Sequence, residues 1–423
     1  MRIFKFSLSL FLFLISCESE KNKKLLEDSI YIYDSTNDVY DNTINKDYIL
    51  DKDSIEPQFV NNLKGQLKLD SIKPERKIKV AKRKSKILSS NLIIDGEFIY
   101  FFDANSNFIK QNLNQKSDKS KIDLGKDKKG FSSLKKHISF NDSRITATIG
   151  NNNVYYIDSE KFTQIWQKEL SSTIRASNLI DNKNIFLSTI DNVIFALNKI
   201  DGSVKWKSEF DSKQTSIYGS GFLKLFKDNL IFTTSLGETI SLNKNNGQTI
   251  WNDKTNISNI YVSEYDMFDS ENKPIIDNYN FYTWTFSGYV ISYDLISGIR
   301  QWSLNIRPIT NLWLNGSLLY TVTNDAKIVA IDKNYGKIAW VKPLSDYNKI
   351  DAEIFNEKNI SSIFVLNNKL AILSKSGRLL YVDPLTGNYL SNRRFVKNII
   401  SLPYIFEERL YLQDHFGNII IYK

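Results

Sequence analysis

Cysteine, histidine and proline are scarce in this chain of 423 residues. The sequence contains one cysteine, two histidines, 7 prolines and 17 glycines. A single cysteine excludes an intramolecular disulfide, and the two histidines, His137 and His415, lie far apart in sequence. The low glycine and proline content, with 42% hydrophobic residues, excludes collagen-like and wholly disordered chains. The composition therefore indicates a protein with a packed core.

Motifs of the common enzyme classes are also missing. The sequence has no GxSxG, HExxH, P-loop or EF-hand pattern and no pair of adjacent cysteines. A net charge of +9 is modest for this length, and no nucleic-acid-binding module accompanies it. We therefore expect no catalytic residues, no metal ligands, no cofactor and no nucleic-acid partner.

The N-terminus has the pattern of an exported lipoprotein. Two cations precede an apolar run from Phe6 to Ile15, which is too short for a membrane span and fits a signal peptide. The run ends in the letters LISC, which resemble a bacterial lipobox. We predict a signal peptide over residues 1–16 and a lipid on Cys17; a buried or incidental cysteine is the alternative. Glu18 follows, where Asp would favour inner-membrane retention, so the sequence favours the outer membrane.

Two further segments separate Cys17 from the folded body. The chain is rich in Asp, Asn, Lys and Ser up to about Asp70, which predicts a flexible tether over residues 17–72. A strongly basic segment follows from Lys73 to Lys86. This segment fits contact with anionic lipid or lipopolysaccharide. It fits better an edge strand that lysines protect from aggregation.

An internal repeat dominates the rest of the chain. The stretch DLISGIRQW places an acid, a glycine and a tryptophan at offsets 0, +4 and +8, and variants of it recur along the sequence. Two copies are incomplete, with Phe162 in place of the glycine and Ser391 in place of the tryptophan. The repeat residues are Asp158 and Trp166; Asn198, Gly202 and Trp206; Asn243, Gly247 and Trp251; Asp294, Gly298 and Trp302; Asp332, Gly336 and Trp340; Asp383 and Gly387.

The repeats predict an all-β fold. Each copy combines short alternating strands with turns rich in Gly, Asn or Asp, as expected for a four-stranded propeller blade. The acid position falls at residues 112, 158, 198, 243, 294, 332, 383 and 423, which gives eight repeats. We predict an eight-bladed β-propeller of antiparallel blades over residues 73–423. Because the last repeat ends before its outer strand, an N-terminal strand around Arg76 to Lys86 should complete it.

Each repeat residue suits a structural role. Asp and Asn side chains accept hydrogen bonds from amides a residue or two along and so begin a turn. Glycine at +4 supplies a positive φ. Tryptophan at +8 lies on the outer strand, where it can pack between neighbouring blades. We therefore interpret these residues as structural and look for the functional residues in the loops between them.

The lipobox, the tether and the eight repeats together resemble the BamB family, lipoproteins of the outer-membrane β-barrel assembly machinery. In that family a loop carries an apolar residue followed by an arginine that contacts BamA, and Ile174 and Arg175 occupy that place here. A second loop carries two acids before a proline, which correspond to Asp269 and Glu271. An ordinary exposed cation and a solvated turn are the alternatives for these loops.

The resemblance implies a non-enzymatic scaffold on the periplasmic face of the outer membrane. It would bind BamA and other subunits of the complex and assist insertion of β-barrel proteins, and its strand edges could hold unfolded client proteins. One alternative is a lipid-anchored propeller scaffold or adhesin unrelated to barrel assembly. Another is a quinoprotein dehydrogenase, because those enzymes share the eight blades and the tryptophan repeats.

Overall fold

The computed structural model describes fifteen stretches of the chain, and the fold is defined in them. The described residues are 74–78, 92–103, 106–115, 117–124, 136–149, 152–210, 222–233, 238–253, 274–285, 288–347, 355–356, 358–395, 404–406, 409–414 and 418–422. Within these residues the regular structure consists of strands β1–β32 and one short 3-10 helix, Leu344–Tyr347. The prediction of an all-β protein is confirmed.

The strands of the described residues form eight four-stranded antiparallel sheets, each a blade. The first blade contains β2 (Ile93–Asp95), β3 (Phe98–Phe102), β4 (Asn107–Asn112) and β5 (Lys119–Asp123). The second contains β6 (His137–Asn141), β7 (Arg144–Thr148), β8 (Asn153–Asp158) and β9 (Thr163–Glu169). The third contains β10 (Ile174–Ile180), β11 (Asn184–Thr189), β12 (Val193–Asn198) and β13 (Val204–Glu209). The fourth contains β14 (Leu223–Phe226), β15 (Asn229–Thr233), β16 (Thr239–Asn243) and β17 (Thr249–Asp253).

The remaining blades repeat this order. The fifth contains β18 (Ile275–Asp277), β19 (Asn280–Trp284), β20 (Tyr289–Asp294) and β21 (Arg300–Asn305). The sixth contains β22 (Trp313–Asn315), β23 (Leu318–Val322), β24 (Lys327–Asp332) and β25 (Ile338–Pro343). The seventh contains β26 (Ile360–Leu366), β27 (Lys369–Ser374), β28 (Arg378–Val382) and β29 (Tyr389–Arg394). The eighth contains β30 (Tyr404–Phe406), β31 (Arg409–Gln413), β32 (Ile419–Tyr422) and the N-terminal strand β1 (Arg76–Ile78).

The position of a strand in its blade follows from its residues. Second and third strands are buried along most of their length because each face packs against a neighbouring blade, and β11, with the sequence NIFLST, is buried throughout. Outer strands alternate between exposed and half-buried residues, as in β13 with the sequence VKWKSE. One face of an outer strand therefore meets water, so exposed and half-buried residues alternate with a period of two.

Apolar clusters join every pair of consecutive blades, and the ring closes between the eighth and the first. In the closing cluster Ile78 of β1 and Tyr411 and Ile419 of the eighth blade pack with Ile94 and Ile99 of the first. Strand β1 is antiparallel to β32, with Arg76 opposite Ile421 and Ile78 opposite Ile419. The predicted eight-bladed propeller, closed by an N-terminal strand, is confirmed. The described part of that strand ends at Ile78, so its predicted continuation to Lys86 lies outside the described residues.

The strand order gives the ring two different faces. We call the face on which the innermost strands begin the entry face; the turns between second and third strands also lie on it. The opposite face, which we call the corner face, carries the turns from first to second strand. It also carries the turns from third to outer strand, and we call these the corner turns. Strand β1 begins opposite the end of β32, so the chain before Pro74 meets the ring on the corner face.

Candidate functional site

The repeat residues form the corner turns. In the fifth blade the carboxylate Oδ1 of Asp294 accepts hydrogen bonds from the amides of Ile296 at 3.1 Å and Ser297 at 2.7 Å. Hydrogen bonds from the Ser297 amide and hydroxyl hold the pKa of Asp294 below its usual value. The amide of Gly298 donates to the Asp294 carbonyl at 2.9 Å, and this glycine has a φ of 72°. The acid and the glycine thus close one tight turn.

Each repeat tryptophan contacts the corner turn of the next blade. A Cβ atom on Gly336 of the sixth blade would lie 2.5 Å from Cδ2 of Trp302 in the fifth, so only glycine fits under the indole. The Trp302 indole Nε1 also donates a hydrogen bond to the carbonyl of Lys333 at 2.9 Å. The same donation is made by Trp166 to Lys199, Trp206 to Lys244, Trp251 to Leu295 and Trp340 to Pro384, at 3.0–3.1 Å.

The glycine is missing where the preceding blade has no tryptophan. In the first blade Ser120 occupies the tryptophan position, and Phe162 occupies the glycine position of the second. Phe162 has a φ of 50°, and its ring centroid lies 5.5 Å from that of Phe108 in the first blade. An aromatic ring is therefore present at the junction between the first and second blades. The ammonium of Lys110 donates to the Ser159 carbonyl at 2.7 Å, in place of an indole N–H. The junction between the first and second blades therefore departs from the repeat. Phe162 replaces the missing indole ring of the Ser120 position, and Lys110 replaces its N–H donor.

Ile174 and Arg175 are the residues of the third blade that are expected to contact BamA. They lie at the start of β10, on the entry face. The pairing of β10 with β11 shifts register between Ile174 and Asn178, so Arg175 belongs to a bulge. The side chain of Ile174 is only 1% exposed and packs with Val154 and Leu187 in the core between the second and third blades. Ile174 is therefore a core residue, because the strand begins at this residue and turns its side chain inward, and its part in a BamA contact stays a prediction.

The acids of the second predicted loop, Asp269 and Glu271, lie outside the described residues, as does Cys17. The described chain ends at Asp253 of β17 and resumes at Pro274, immediately before β18. Strand β18 is the innermost strand of the fifth blade, so it begins on the entry face, as β10 does. The two sequence segments therefore lead into the same face, two blades apart.

A buried lysine on the entry face was not recognised from the sequence. Lys136 immediately precedes β6 and is 2% exposed, and its ammonium has no hydrogen-bond partner among the described residues. Burial lowers its pKa to about 8, although the negative charge of Asp103 opposes the change. The segment KKHISF carries no pattern that separates this lysine from an exposed one, since its burial depends on the neighbouring blade.

The described residues contain neither a membrane-spanning helix nor a cluster of metal-binding side chains. None of the helical segments there has the length and apolarity needed to cross a bilayer. Groups of three or more His, Cys, Asp or Glu side chains placed to bind a metal ion are likewise absent from the described ranges.

Known proteins resemble this chain in sequence. An uncharacterized protein of Rickettsia prowazekii is 26% identical over 329 residues, which cover 76% of this chain and 78% of the relative. The outer membrane protein assembly factor BamB of Moranella endobia is 19% identical over 266 residues, covering 63% of this chain and 66% of the relative. BamB of Yersinia pestis is 20% identical over 269 residues, covering 63% of this chain and 65% of the relative. The chain thus spans slightly less than two thirds of these BamB proteins.

Solved structures share the fold. BamB from Moraxella catarrhalis superposes with a TM-score of 0.64 at 15% identity, covering 82% of this chain and 100% of that one. The quinohemoprotein alcohol dehydrogenase of Comamonas testosteroni superposes with a TM-score of 0.59 at 9% identity, covering 83% and 76%. The family model described as outer membrane protein assembly factor BamB matches residues 110–342, which is more than half of the chain. This protein therefore belongs to the BamB family.

Proposed function

We propose that this protein is a non-enzymatic scaffold of outer-membrane β-barrel assembly, which binds BamA and assists insertion of barrel proteins. Its membership of the BamB family is the observation that carries the proposal. Relatives that bear a descriptive name, including those of Moranella endobia and Yersinia pestis, are called outer membrane protein assembly factors. A closed ring with loops on a rigid frame suits a protein that holds partners in position.

The proposed BamA contact combines the bulge of β10 with the segment between β17 and β18. The bulge contains Arg175, and the segment contains Asp269 and Glu271. Bulges commonly redirect side chains at the ends of strands, which makes this backbone a suitable mount for a guanidinium. Opposite charges on two segments that lead into the same face would orient a partner that carries a matching pattern. Ile174 contributes by packing beneath the bulge.

The proposed location is the periplasmic face of the outer membrane. A lipid on Cys17 would anchor the chain after removal of residues 1–16, and residues 17–72 would link the anchor to the ring. Further partners in this proposal are other subunits of the assembly complex and unfolded barrel proteins, which the outer strands could pair with transiently. Labelled palmitate incorporation that disappears in Cys17→Ser would support the anchor, and persistent incorporation would contradict it.

Affinity capture of BamA tests the contact. Replacing Arg175 by Glu inverts the charge at the bulge, and we expect captured BamA to fall at least tenfold, which corresponds to about 1.4 kcal/mol. Lys183→Glu is the matched control: Lys183 is an exposed cation of the same blade, in the β10–β11 turn on the opposite face. The control should capture BamA as the unaltered protein does. Thermal unfolding should be unchanged in both variants.

Two outcomes would contradict the proposal in different ways. Equal capture by the two variants would remove Arg175 from the contact, and the same measurement with Asp269→Lys and Glu271→Lys would then test the second segment. Absence of BamA from every capture, with normal outer-membrane proteins in a deletion strain, would reject a role in barrel assembly. A lipid-anchored scaffold or adhesin of other purpose would then be favoured.

The fold shared with quinohemoprotein dehydrogenases makes one further measurement worthwhile. Absorbance spectra and metal analysis of the purified protein detect a bound quinone or calcium directly. We expect neither. A stoichiometric quinone would overturn the scaffold proposal.

A further inference from the structure

Seven of the eleven exposed large apolar side chains among the described residues belong to the fifth to seventh blades, and the other four, Ile165, Ile200, Val204 and Ile250, belong to the second to fourth. Among the described residues, the large apolar side chains that face solvent lie in corner turns, on outer strands or in one turn between first and second strands. The fifth, sixth and seventh blades hold a consecutive set of them. We call this set the apolar arc; it comprises Ile296, Ile299, Tyr335, Leu385, Tyr389 and Leu390, which are 61, 67, 68, 38, 42 and 42% exposed.

The fold itself does not require apolar residues at these places. The corner turn of the fourth blade has the sequence NKNNG and carries polar residues where the fifth has DLISG. Both turns close with the same hydrogen bonds from the +2 amide to the acid position, at 2.9 and 3.1 Å. Apolar residues grouped on a surface commonly mark a site that another segment covers. The arc is therefore a candidate docking surface.

The exposed charged side chains in the described turns of the arc are cationic. In the described turns of the fifth to seventh blades on this face, the acids Asp294, Asp332 and Asp383 accept amide hydrogen bonds within their own turns. None of the Asp or Glu residues in those turns is exposed, whereas Lys337 and Lys369 are. The surface therefore offers apolar contacts beside exposed ammonium groups.

Corresponding turns of the second to fourth blades differ in charge. Glu160, Asp201 and Asp228 are exposed there, on the same face of the ring. Lys161, Lys183 and Lys227 are exposed beside these acids, so the charge on that side is mixed, and an acidic ligand would be attracted more strongly by the arc. The expected occupant is thus a chain that combines acidic and apolar residues.

The chain contains such a segment. Residues 27–56 carry nine Asp or Glu and two Lys, interspersed with isoleucine, tyrosine, valine and leucine. The chain meets the ring at Pro74 on the corner face of the eighth blade, and the seventh blade of the arc is its neighbour. Residues 57–73 can span up to roughly 55 Å when extended, which is ample for this path.

We propose that the apolar arc docks residues 27–56 of the same chain. Tyrosine and isoleucine side chains of the segment cover Ile296, Tyr335 and Leu385, and its carboxylates face Lys337 and Lys369. A linker this short gives an effective concentration on the order of millimolar, so weak contacts suffice. The proposal goes beyond the assembly function and is independent of BamA binding.

Photo-crosslinking in the full-length chain tests which segment covers the arc. A benzophenone amino acid at Tyr335, and separately at Ile296, is irradiated and the crosslinked peptides are identified by mass spectrometry. We expect crosslinks to residues 27–56 within one chain. The matched control is the same probe at Ile200, which occupies the equivalent corner position of the third blade and is 82% exposed. Crosslinks from the arc to a second copy, to another protein or to lipid, or a yield equal to that at Ile200, would overturn the proposal.

Protease sensitivity gives a second readout. Chymotrypsin cleavage after Tyr31 and Tyr48 should be at least tenfold faster in a chain carrying Ile296→Asp, Ile299→Asp and Tyr335→Asp than in the unaltered chain. Ile200→Asp should leave the cleavage rates unchanged. If the triple variant does not fold, Asp47→Asn, Asp51→Asn and Asp53→Asn alter the segment instead of the ring and should accelerate the same cleavages. Unchanged cleavage in the variants that fold would overturn the proposal.

Discussion

The tryptophan and the glycine of one repeat meet their partners in two different blades. Trp302 lies in the fifth blade and packs on Gly336 of the sixth, while Gly298 of the fifth receives Trp251 of the fourth. A change of either residue therefore acts on a junction between blades. The exception at Ser120 and Phe162 supports this view, since the two partners of one junction differ together while the rest of both blades is retained.

Two glycines of the sixth blade separate backbone strain from close packing. Gly336 and Gly316 both have positive φ, 66° and 60°, but a Cβ would meet Trp302 at Gly336 and nothing within 4 Å at Gly316. We expect Gly316→Ala to lower the free energy of unfolding by about 1 kcal/mol through strain alone. Gly336→Ala should lower it by about 2–4 kcal/mol, since overpacking adds to strain. Urea unfolding of both variants measures the difference, and equal losses would refute the role of the indole contact.

For single residues, the sequence predicts the local hydrogen bonds of a side chain better than it predicts which distant residues that side chain contacts. The acid–glycine turn is local, and its hydrogen bonds span two or three residues, so the repeat alone suggests it. The partner of Trp302 is Gly336, 34 positions away, and depends on how blades stack. The burial of Ile174 was not predictable for the same reason: a loop motif does not reveal that β10 begins there and that its first side chain enters the core.

Strand β1 is the element on which ring closure depends. It pairs with β32 and places Ile78 between the eighth and first blades, while Lys77 bonds Asp414 at 3.1 Å and Glu75 accepts from Arg409 at 3.0 Å. In each ion pair at least one side chain is exposed, so these pairs contribute little to the free energy of unfolding. Burial of Ile78, worth roughly 2 kcal/mol, and the ladder hydrogen bonds, about 1 kcal/mol each, are the main contributions.

Deletions on either side of the ring boundary test this closure. Removing residues 76–88 leaves the edge of β32 unpaired, and we expect the free energy of unfolding to fall by about 3 kcal/mol or more. Removing residues 18–65 leaves β1 in place and should keep the ring intact. Calorimetry of the two shortened chains compares them directly. Thermal midpoints lowered equally by both deletions would mean that β1 does not close the ring.

The number and order of the strands were predictable because each blade repeats the same sequence pattern. Eight acid positions gave eight blades, and an incomplete last repeat required a strand from elsewhere. The bulge in β10 was not predictable, because residues 175–177 have no glycine or other signal of irregular pairing. The sequence therefore identifies Arg175 as a candidate contact residue but not the irregular backbone that carries it.

Buried tyrosines are spread over much of the ring. Burial raises the pKa of Tyr100 in the first blade, Tyr381 in the seventh and Tyr422 in the eighth to about 12. Burial also raises the pKa of Tyr282 and Tyr320 in the fifth and sixth blades. These hydroxyls lie between blades, so the stability of the whole ring is coupled to their protonation.

The sign of this coupling predicts alkaline unfolding. In the unfolded chain a tyrosine hydroxyl loses its proton near pH 10, whereas in the ring Tyr381 keeps its proton up to about pH 12. The contribution of this hydroxyl to stability is therefore complete below pH 10 and is lost as the pH rises from 10 towards 12. Each such hydroxyl should reduce the free energy of unfolding by up to about 1.4 kcal/mol per pH unit in that window.

Tyr381→Phe isolates one of these groups. Tyr381 is 8% exposed and its ring lies 6.0 Å from the ammonium of Lys369, a contact that a phenylalanine ring can retain. We expect the variant to match the unaltered protein near pH 8 and to lose stability less steeply above pH 10, because one titrating group is gone from the buried set. Urea unfolding at pH values from about 8 to about 11 measures both slopes. Parallel curves for the two proteins would show that deprotonation of Tyr381 is not coupled to unfolding of the ring.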